Sequence, residues 1–224
     1  MRCIVHVPFQ RYLREVSACT QLSHPNIVPF VGITSTPNHP FSLILDTAGH
    51  TGLREYLDKN PEADRLKLVQ GIARGLEHVH DLGIVHGHLC SQNILVGPDG
   101  TPRIAGFGSS FTISRPDPWS EMDVVGFHRG SAPELIRPQK PGEPVVPITK
   151  ASDMYAFGML TWEEPLSRDL DATVVCRVLR GDRPPRPDHA KLSNKVWKMV
   201  RKCWHDVPSR RMTVREVLAL IEVE

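Results

Sequence analysis

A long apolar stripe near the middle of the chain constrains the fold more than any other feature. Its members recur at three- and four-residue steps, the spacing of one helical face, and they are Leu66, Val69, Ile72, Ala73, Leu76 and Val79. Asn60 followed by Pro61 is typical of a helix start, so the stripe predicts one long, buried helix beginning there. A chain of 224 residues with 40% hydrophobic content can bury one substantial core around such a helix.

The residues before this helix predict mostly strands. An amphipathic helix is expected over residues 9–22, because Phe9 and Leu13 begin an apolar series at helical spacing. Two apolar runs, 27–33 and 41–46, are separated by a turn-rich segment and predict an antiparallel strand pair.

After the long helix, the runs 93–96 and 103–105 flank the turn GPDG and predict a hairpin. Residues 106–150 lack periodicity and predict a long loop. Helical spacing then returns at 152–163, 171–180, 194–204 and 213–222, the last with a capping box at Thr213 and Glu216. Strands early and helices late predict an α+β fold with a mainly helical C-terminal body.

Composition excludes several functional classes. Lys and Arg number 27 against 25 Asp and Glu, so no charge excess indicates nucleic acid or an anionic membrane as a partner. The five cysteines are scattered without metal-binding or redox spacing. With no signal-peptide segment and no span long enough for a bilayer, we expect a cytoplasmic or nuclear protein.

Several motifs occur in an order that resembles protein kinases. They are LREVSACTQLSHPNIVPFVGI at 13–33, IVHGHLCSQNILV at 84–96, RIAGFG at 103–108, SAPEL at 131–135, SDMYAFGMLTWE at 152–163 and KCWHDVPSRRMT at 202–213. Their style is that of the tyrosine-kinase-like group, and we expect a fungal member. The resemblance implies a two-lobed fold, with residues 1–46 as a truncated N-lobe of regulatory helix and last two strands, and 47–224 as the C-lobe.

The resemblance also implies that the chemistry of the catalytic loop is lost. His88 occupies the place of the catalytic carboxylate, and Gly106 that of the carboxylate that holds magnesium. Asn93 matches the second metal ligand but is neutral, so no metal site is expected. Gly87 replaces the Arg that normally anchors a phosphorylated activation segment.

The nucleotide site implied by the resemblance is incomplete. Glu15 matches the acidic partner of the nucleotide-binding Lys, but no Lys precedes Glu15. His6 in the run CIVHV at 3–7 stands in the place of that Lys, but only nine positions separate it from Glu15, a spacing too short for the Lys-bearing strand. No glycine-rich turn precedes Glu15 either. The other positions that match the nucleotide site are Leu45, Asp46, Leu95, Gly106, Phe107 and Gly108. No cofactor is expected, and binding of ATP without the usual magnesium site is left open as the alternative.

The resemblance to protein kinases also implies that the residues with structural roles are retained. Glu134 and Arg211 match a buried ion pair, and Asp153 matches the acid that holds the catalytic loop. The side chains that match the stack connecting the lobes are Cys19, Phe30, His86 and Phe107.

Three weaker features have plain explanations. The histidines at 78, 80, 86 and 88 suggest a zinc site. The first two face different ways on a helix and do not converge on one ion, so we do not expect zinc there. DRPPRPDH at 182–189 is read as a loop rather than a polyproline ligand. Phosphorylation of the activation segment is a further hypothesis, at Ser109, Ser110, Thr112, Ser114 and Ser120.

The expectation is therefore a pseudokinase that acts as a signalling scaffold or allosteric partner, with a protein partner such as an active kinase. One alternative is an atypical Ser/Thr kinase that uses His88 as base. The other is a non-functional truncated fragment, because a lone strand pair is marginally stable.

Overall fold

The computed structural model describes residues 2–6, 8–113, 130–138, 142–163, 171–186 and 192–222. The first part of the chain forms a sheet with one helix packed on it. Its elements are β1 (Arg2–His6), α1 (Phe9–Cys19), β2 (Phe30–Thr36) and β3 (His39–Asp46). The strand order β1-β3-β2 is antiparallel throughout, with Val5 and Ile33 both opposite Leu43.

The predicted pair β2 and β3 is confirmed, but the expectation of only two strands was wrong. The CIVH run pairs with β3 from Arg2 opposite Asp46 to His6 opposite Ser42. Its β-branched residues suit a pleated strand even though the segment is short. The division of the chain at residue 46 stays a prediction.

The remaining elements build a mainly helical body. They are β4 (Thr51–Gly52), α2 (Leu53–Lys59), α3 (Arg65–Asp81), β5 (Ile84–Val85), β6 (Ile94–Val96), β7 (Pro102–Ile104), β8 (Phe111–Thr112), α4 (Pro133–Ile136), α5 (Lys150–Glu163), α6 (Asp171–Leu179), α7 (Asn194–Cys203) and α8 (Val214–Ile221). The predicted hairpin is β6 and β7, with Leu95 opposite Arg103. The capping box at Thr213 and Glu216 is present. The α+β class is confirmed.

The long helix begins later than predicted. Asp64 is the N-cap of α3, where its carboxylate accepts the backbone N–H of Lys67 at 3.1 Å. Asn60 instead ends α2, because both its backbone N–H and its side-chain amide donate to the carbonyl of Tyr56. Asn is favoured at both helix ends, so the sequence alone did not distinguish the two roles.

A short segment ties the first sheet to the helical body. The backbone of Asn26 and Val28 exchanges hydrogen bonds with Ile104 of β7, at 2.8 and 2.9 Å. The buried Asn26 amide also donates to the carbonyl of Pro102 at 2.9 Å. These contacts hold the segment between α1 and β2 against β7. In the described parts of the chain, no helix is long and apolar enough to cross a membrane.

Replacing Asp64 by alanine should lower the free energy of unfolding by about 1 kcal/mol, because α3 loses its side-chain cap. Asp64→Ser is the matched control, since its hydroxyl can still accept the N–H of Lys67. Equilibrium urea unfolding measures both. If the alanine variant is as stable as the serine variant, the cap contributes nothing.

Candidate active site

A buried carboxylate holds the loop between β5 and β6. Asp153, in the first turn of α5, is 2% exposed and accepts the backbone N–H groups of His86 and Gly87 at 2.8 and 2.9 Å. Oδ2 of Asp153 also lies 3.0 Å from Nε2 of His80. Charge-assisted hydrogen bonds of this kind are about twice as strong as neutral ones. The loop therefore takes its shape from α5.

The backbone at Gly87 has no room for a side chain. Its φ is 75°, and a Cβ atom would lie 2.6 Å from the carbonyl oxygen of Ser109. Because that oxygen belongs to the backbone, it cannot rotate away. The glycine lets the loop pass directly against the segment that follows β7.

His88, Asn93 and Gly106 form one compact cluster. Asn93 donates from Nδ2 to the carbonyl of His88 at 2.8 Å, and the same nitrogen lies 3.4 Å from His88 Nδ1. Gly106 is left-handed, with φ 78° and ψ 48°, and a Cβ there would lie 2.4 Å from Asn93 Oδ1. The Asn93 amide therefore occupies the space into which a side chain at position 106 would project.

This cluster does not fit the magnesium ion that a kinase site would hold at these positions. Magnesium prefers octahedral oxygen ligands with at least one carboxylate. Gly106 brings no side-chain oxygen, and Asn93 offers a single neutral amide oxygen. Within the described ranges, no group of three or more His, Cys, Asp or Glu side chains converges on a metal position.

Burial favours the neutral form of the His86 and His88 imidazoles. Desolvation lowers the pKa of His86, which is completely buried, and of His88, where His86 and Arg11 add to the effect. Both ring nitrogens of His86 are used: Nε2 donates to the carbonyl of Ala105 at 3.0 Å, and Nδ1 accepts the N–H of His88 at 3.1 Å. Protonation of His86 would break the second bond.

Glu15 connects α1 to the glycine-containing loop after β7. Burial raises the pKa of its carboxyl, while a hydrogen bond with the backbone of Phe107 and the charge of Arg11 oppose that rise. A Cβ on Gly108 would lie 3.3 Å from Glu15 Oε2 and 3.4 Å from Arg11 Cβ. Arg11 was not predicted from the sequence, although its position one turn before Glu15 was a usable signal.

A family model and several curated relatives are similar to this chain. The family model described as protein tyrosine and serine/threonine kinase matches residues 6–221. The chain belongs to this kinase family. Serine/threonine/tyrosine-protein kinase HT1 of Arabidopsis thaliana is 27% identical over 226 residues, covering 95% of this chain and 54% of the relative.

Other relatives are longer. Mitogen-activated protein kinase kinase kinase 13-A of Xenopus laevis is 28% identical, covering 93% of this chain and 21% of the relative. A putative serine/threonine-protein kinase/receptor, R831, of Acanthamoeba polyphaga mimivirus is 31% identical, covering 91% and 12%. The chain thus spans about half or less of each of these relatives.

The ion pair expected from the kinase motifs is present as a bidentate contact. Arg211 donates from both terminal nitrogens to Glu134 at 2.7 Å, and its side chain is 1% exposed. Arg211 and Arg183 both lie over the ring of Tyr155, at 5.1 and 5.4 Å from its centroid. Burial raises the pKa of Tyr155 to about 12. This arrangement fixes α4 against α5 and the turn before α8.

The side chains that match the interlobe stack lie together in part. The rings of His86 and Phe107 are 4.9 Å apart, and Phe107 and Cys19 share the buried core against which Phe30 packs. Leu45 is buried in β3, Asp46 ends that strand at the surface, and Leu95 lies opposite Gly52 of β4.

The weaker sequence features fall in different places. Ser110 is 2% exposed and donates to the carbonyl of Phe107, so it is shielded, whereas Ser109 and Thr112 are half-buried. Ser114 and Ser120 lie outside the described residues. His78 stacks on His24 at 5.2 Å while His80 contacts Asp153, so these two imidazoles do not converge. Residues 182–186 of the proline-rich run form a loop whose Pro185 carbonyl accepts from Trp162 at 3.0 Å, and the rest lies outside the described residues.

Gly87→Ala should destabilise the protein by more than Gly83→Ala. Both glycines have positive φ, which costs a side chain about 1–2 kcal/mol. Only at Gly87 does the new Cβ also meet backbone, because nothing lies within 4 Å at Gly83. Thermal unfolding of the pair measures the difference. Equal losses would show that the Ser109 contact is relaxed at no cost.

Glu15→Gln should stabilise the protein near neutral pH. The raised pKa means that the folded state binds a proton more readily than the unfolded state, so the contribution of Glu15 to stability falls as pH rises through the folded pKa. The advantage of the variant should vanish in acid, where Glu15 is protonated.

Glu216→Gln should change the stability near neutral pH in the opposite direction. Thr213 lowers the pKa of Glu216, so this variant should be less stable at neutral pH and converge with the parent in acid. Melting temperatures across pH test both. A loss of stability in Glu15→Gln at neutral pH would contradict the assignment of burial as the dominant effect.

Proposed function

We propose that the chain is a catalytically inactive kinase domain, a pseudokinase, that acts by binding another protein. The observation that carries the proposal is the contact between Gly106 and Asn93. A metal-binding carboxylate is absent at position 106, and the Asn93 amide fills the space it would need.

The chemistry lost is larger than a single residue can restore. Phosphoryl transfer depends on positioning and on charge stabilisation by metal ions and carboxylates. Every loss of about 1.4 kcal/mol of transition-state stabilisation slows the reaction tenfold. Here His88 replaces the base and Gly106 the metal ligand, and Glu15 bonds to the Phe107 backbone. These losses act on the same transition state.

The retained scaffold supports a binding role. The bidentate Glu134–Arg211 pair and the Asp153 contacts preserve the shape of a kinase domain without its reactive groups. A rigid surface of this shape suits a signalling scaffold or an allosteric partner, and another kinase is the partner class we favour. The motif style supports membership of the tyrosine-kinase-like group. Four free thiols in the described residues support a location in the cytoplasm or nucleus.

One observation favours the alternative of an atypical kinase. The lowered pKa of His88 leaves a neutral imidazole near neutral pH, and a neutral imidazole can accept a proton. This alternative still requires a metal held by other groups.

Purified protein should transfer no phosphate above background from ATP to Ser, Thr or Tyr peptides or to itself, with magnesium or manganese present. ATP with magnesium should raise the melting temperature no more than ATP with a chelator, because the ion has no carboxylate at position 106. Radiolabel transfer and thermal-shift titrations provide the measurements.

Asn93→Ala is the control for contaminating kinases. Transfer by the parent that disappears in Asn93→Ala would refute the proposal and support the atypical kinase. A chain without a cooperative thermal transition would instead indicate the non-functional fragment.

A further inference from the structure

Two stacked imidazoles lie outside the candidate active site. His24, in the segment between α1 and β2, packs on His78 of α3 with ring centroids 5.2 Å apart and 21° between the ring planes. The in-plane lone pairs of stacked rings do not meet at one point, so the pair cannot hold a metal ion between its nitrogens. Its geometry depends instead on where the protons of the two rings are bound.

The His24 ring holds its own segment in a turn. Its Nδ1 accepts the backbone N–H of Asn26 at 3.1 Å, and its carbonyl accepts the N–H of Ile27 at 3.0 Å. A ring that accepts at Nδ1 carries its one proton on Nε2 and is neutral. A second proton would turn Nδ1 into a donor that faces the N–H of Asn26, and this hydrogen bond would be lost.

The His78 ring gives a proton no better place. Its Nε2 is buried and has no hydrogen-bond partner, so protonation there would bury a donor without an acceptor. Protonation of both rings would also bring two positive charges into contact across the stack with His24. The closed arrangement therefore requires neutral imidazoles.

The groups that face the pair from other parts of the chain are basic. Burial lowers the pKa of His24, and His78 and Arg74 of α3 add to the effect. From β7, Arg103 donates from Nε to the carbonyl of the residue after His24, at 3.1 Å. Residues 20–30 themselves contain no Asp, Glu, Lys or Arg.

The carboxylates on this side of α3 are paired with arginines. Glu222 accepts from Arg74 at 2.7 Å, and Glu77 and Asp81 lie 3.8 and 2.8 Å from the guanidinium of Arg215. The negative charge that would offset a second proton on His24 is therefore already engaged.

The segment that His24 shapes also ties the first sheet to the helical body. Its tie consists of the backbone bonds that Asn26 and Val28 make with Ile104. A cavity of about 500 Å³ lies beside the segment, and Cys19 and Phe30 also line it. The segment therefore has space to move into when its turn opens.

We propose that the His24–His78 stack is an acid-sensitive joint, in which protonation opens the turn at residues 24–26 and loosens the tie to β7. The joint is closed near neutral pH. The inference is independent of catalysis and holds for an inactive or an active kinase domain.

The sign of the pH dependence follows from the lowered pKa of His24. The open form binds the proton more readily than the closed form, so the joint stabilises the fold above the ordinary histidine pKa of about 6.5. That stabilisation is lost as the pH falls through the pKa of the closed form.

Native-state hydrogen exchange of the full chain at pH 7 and pH 5 tests the proposal. Protection factors, corrected for the intrinsic pH dependence of exchange, should fall about tenfold at the amides of Val28 and Ile104, which donate the two hydrogen bonds of the tie. The amide of Val217 in α8 should keep its protection. The midpoint of the loss should match the titration of the His24 ring protons followed by NMR.

Two variants remove the titration but keep the contacts. His24→Asn retains an acceptor for the N–H of the residue two positions on, and it should lose much less protection in acid than the parent. His78→Phe retains a stacked ring and should reduce the loss in part. His205→Asn is the matched control, because His205 makes the same turn bond, to the N–H of Val207 at 3.0 Å, and in the described residues no imidazole stacks on it. This control should lose protection like the parent.

Three results overturn the proposal. The first is a parent whose protection at Val28 and Ile104 is the same at both pH values. The second is a loss that α8 shares, since the whole domain would then unfold in acid. The third is an acid loss in His24→Asn as large as that of the parent, or a midpoint that does not follow the titration of the His24 ring.

Discussion

The buried carboxylate of Asp153 is the contact on which the catalytic loop depends. It accepts three hydrogen bonds, from the backbone of His86 and Gly87 and from His80, while lying in the first turn of α5. The positive end of the helix dipole favours a negative charge there. Removing a buried acceptor leaves its donors unsatisfied, at about 1–3 kcal/mol each, so the loop conformation and α5 are stabilised together.

The two glycines of the site follow from the same packing. Gly87 brings the loop against Ser109, and Gly106 brings the next loop against Asn93, each at a distance that excludes a side chain. Ala105 also donates to the carbonyl of Asn93 at 2.8 Å. The two loops are therefore in direct contact where a kinase motif would place a metal ion between charged groups. A neutral backbone hydrogen bond joins them.

Periodicity and motifs predicted much of the fold. The hairpin of β6 and β7 and the late helices follow from apolar spacing, and Asp153 and Arg211 follow from the kinase resemblance. Three features did not follow. Strand β1 was discounted because its spacing to Glu15 seemed too short, yet strand pairing depends on register with Leu43 and Leu45 rather than on linker length.

The other two features depend on tertiary contact. Helix α2 is short, and Asn60 has a side chain that suits either helix end, so local sequence did not separate α2 from α3. The space occupied by Asn93 is also invisible in sequence. A glycine at position 106 removes a carboxylate, but only the structure places the Asn93 amide where that carboxylate would project.

A series of contacts holds α1 in position and reaches α5. Glu15 is 4% exposed and bonds to the backbone of Phe107, whose ring contacts His86, whose backbone N–H in turn donates to Asp153. This series joins α1 to α5 through contacts that all lie within the chain. Since each contact joins residues of the chain itself, the series fixes α1 relative to the loop between β5 and β6.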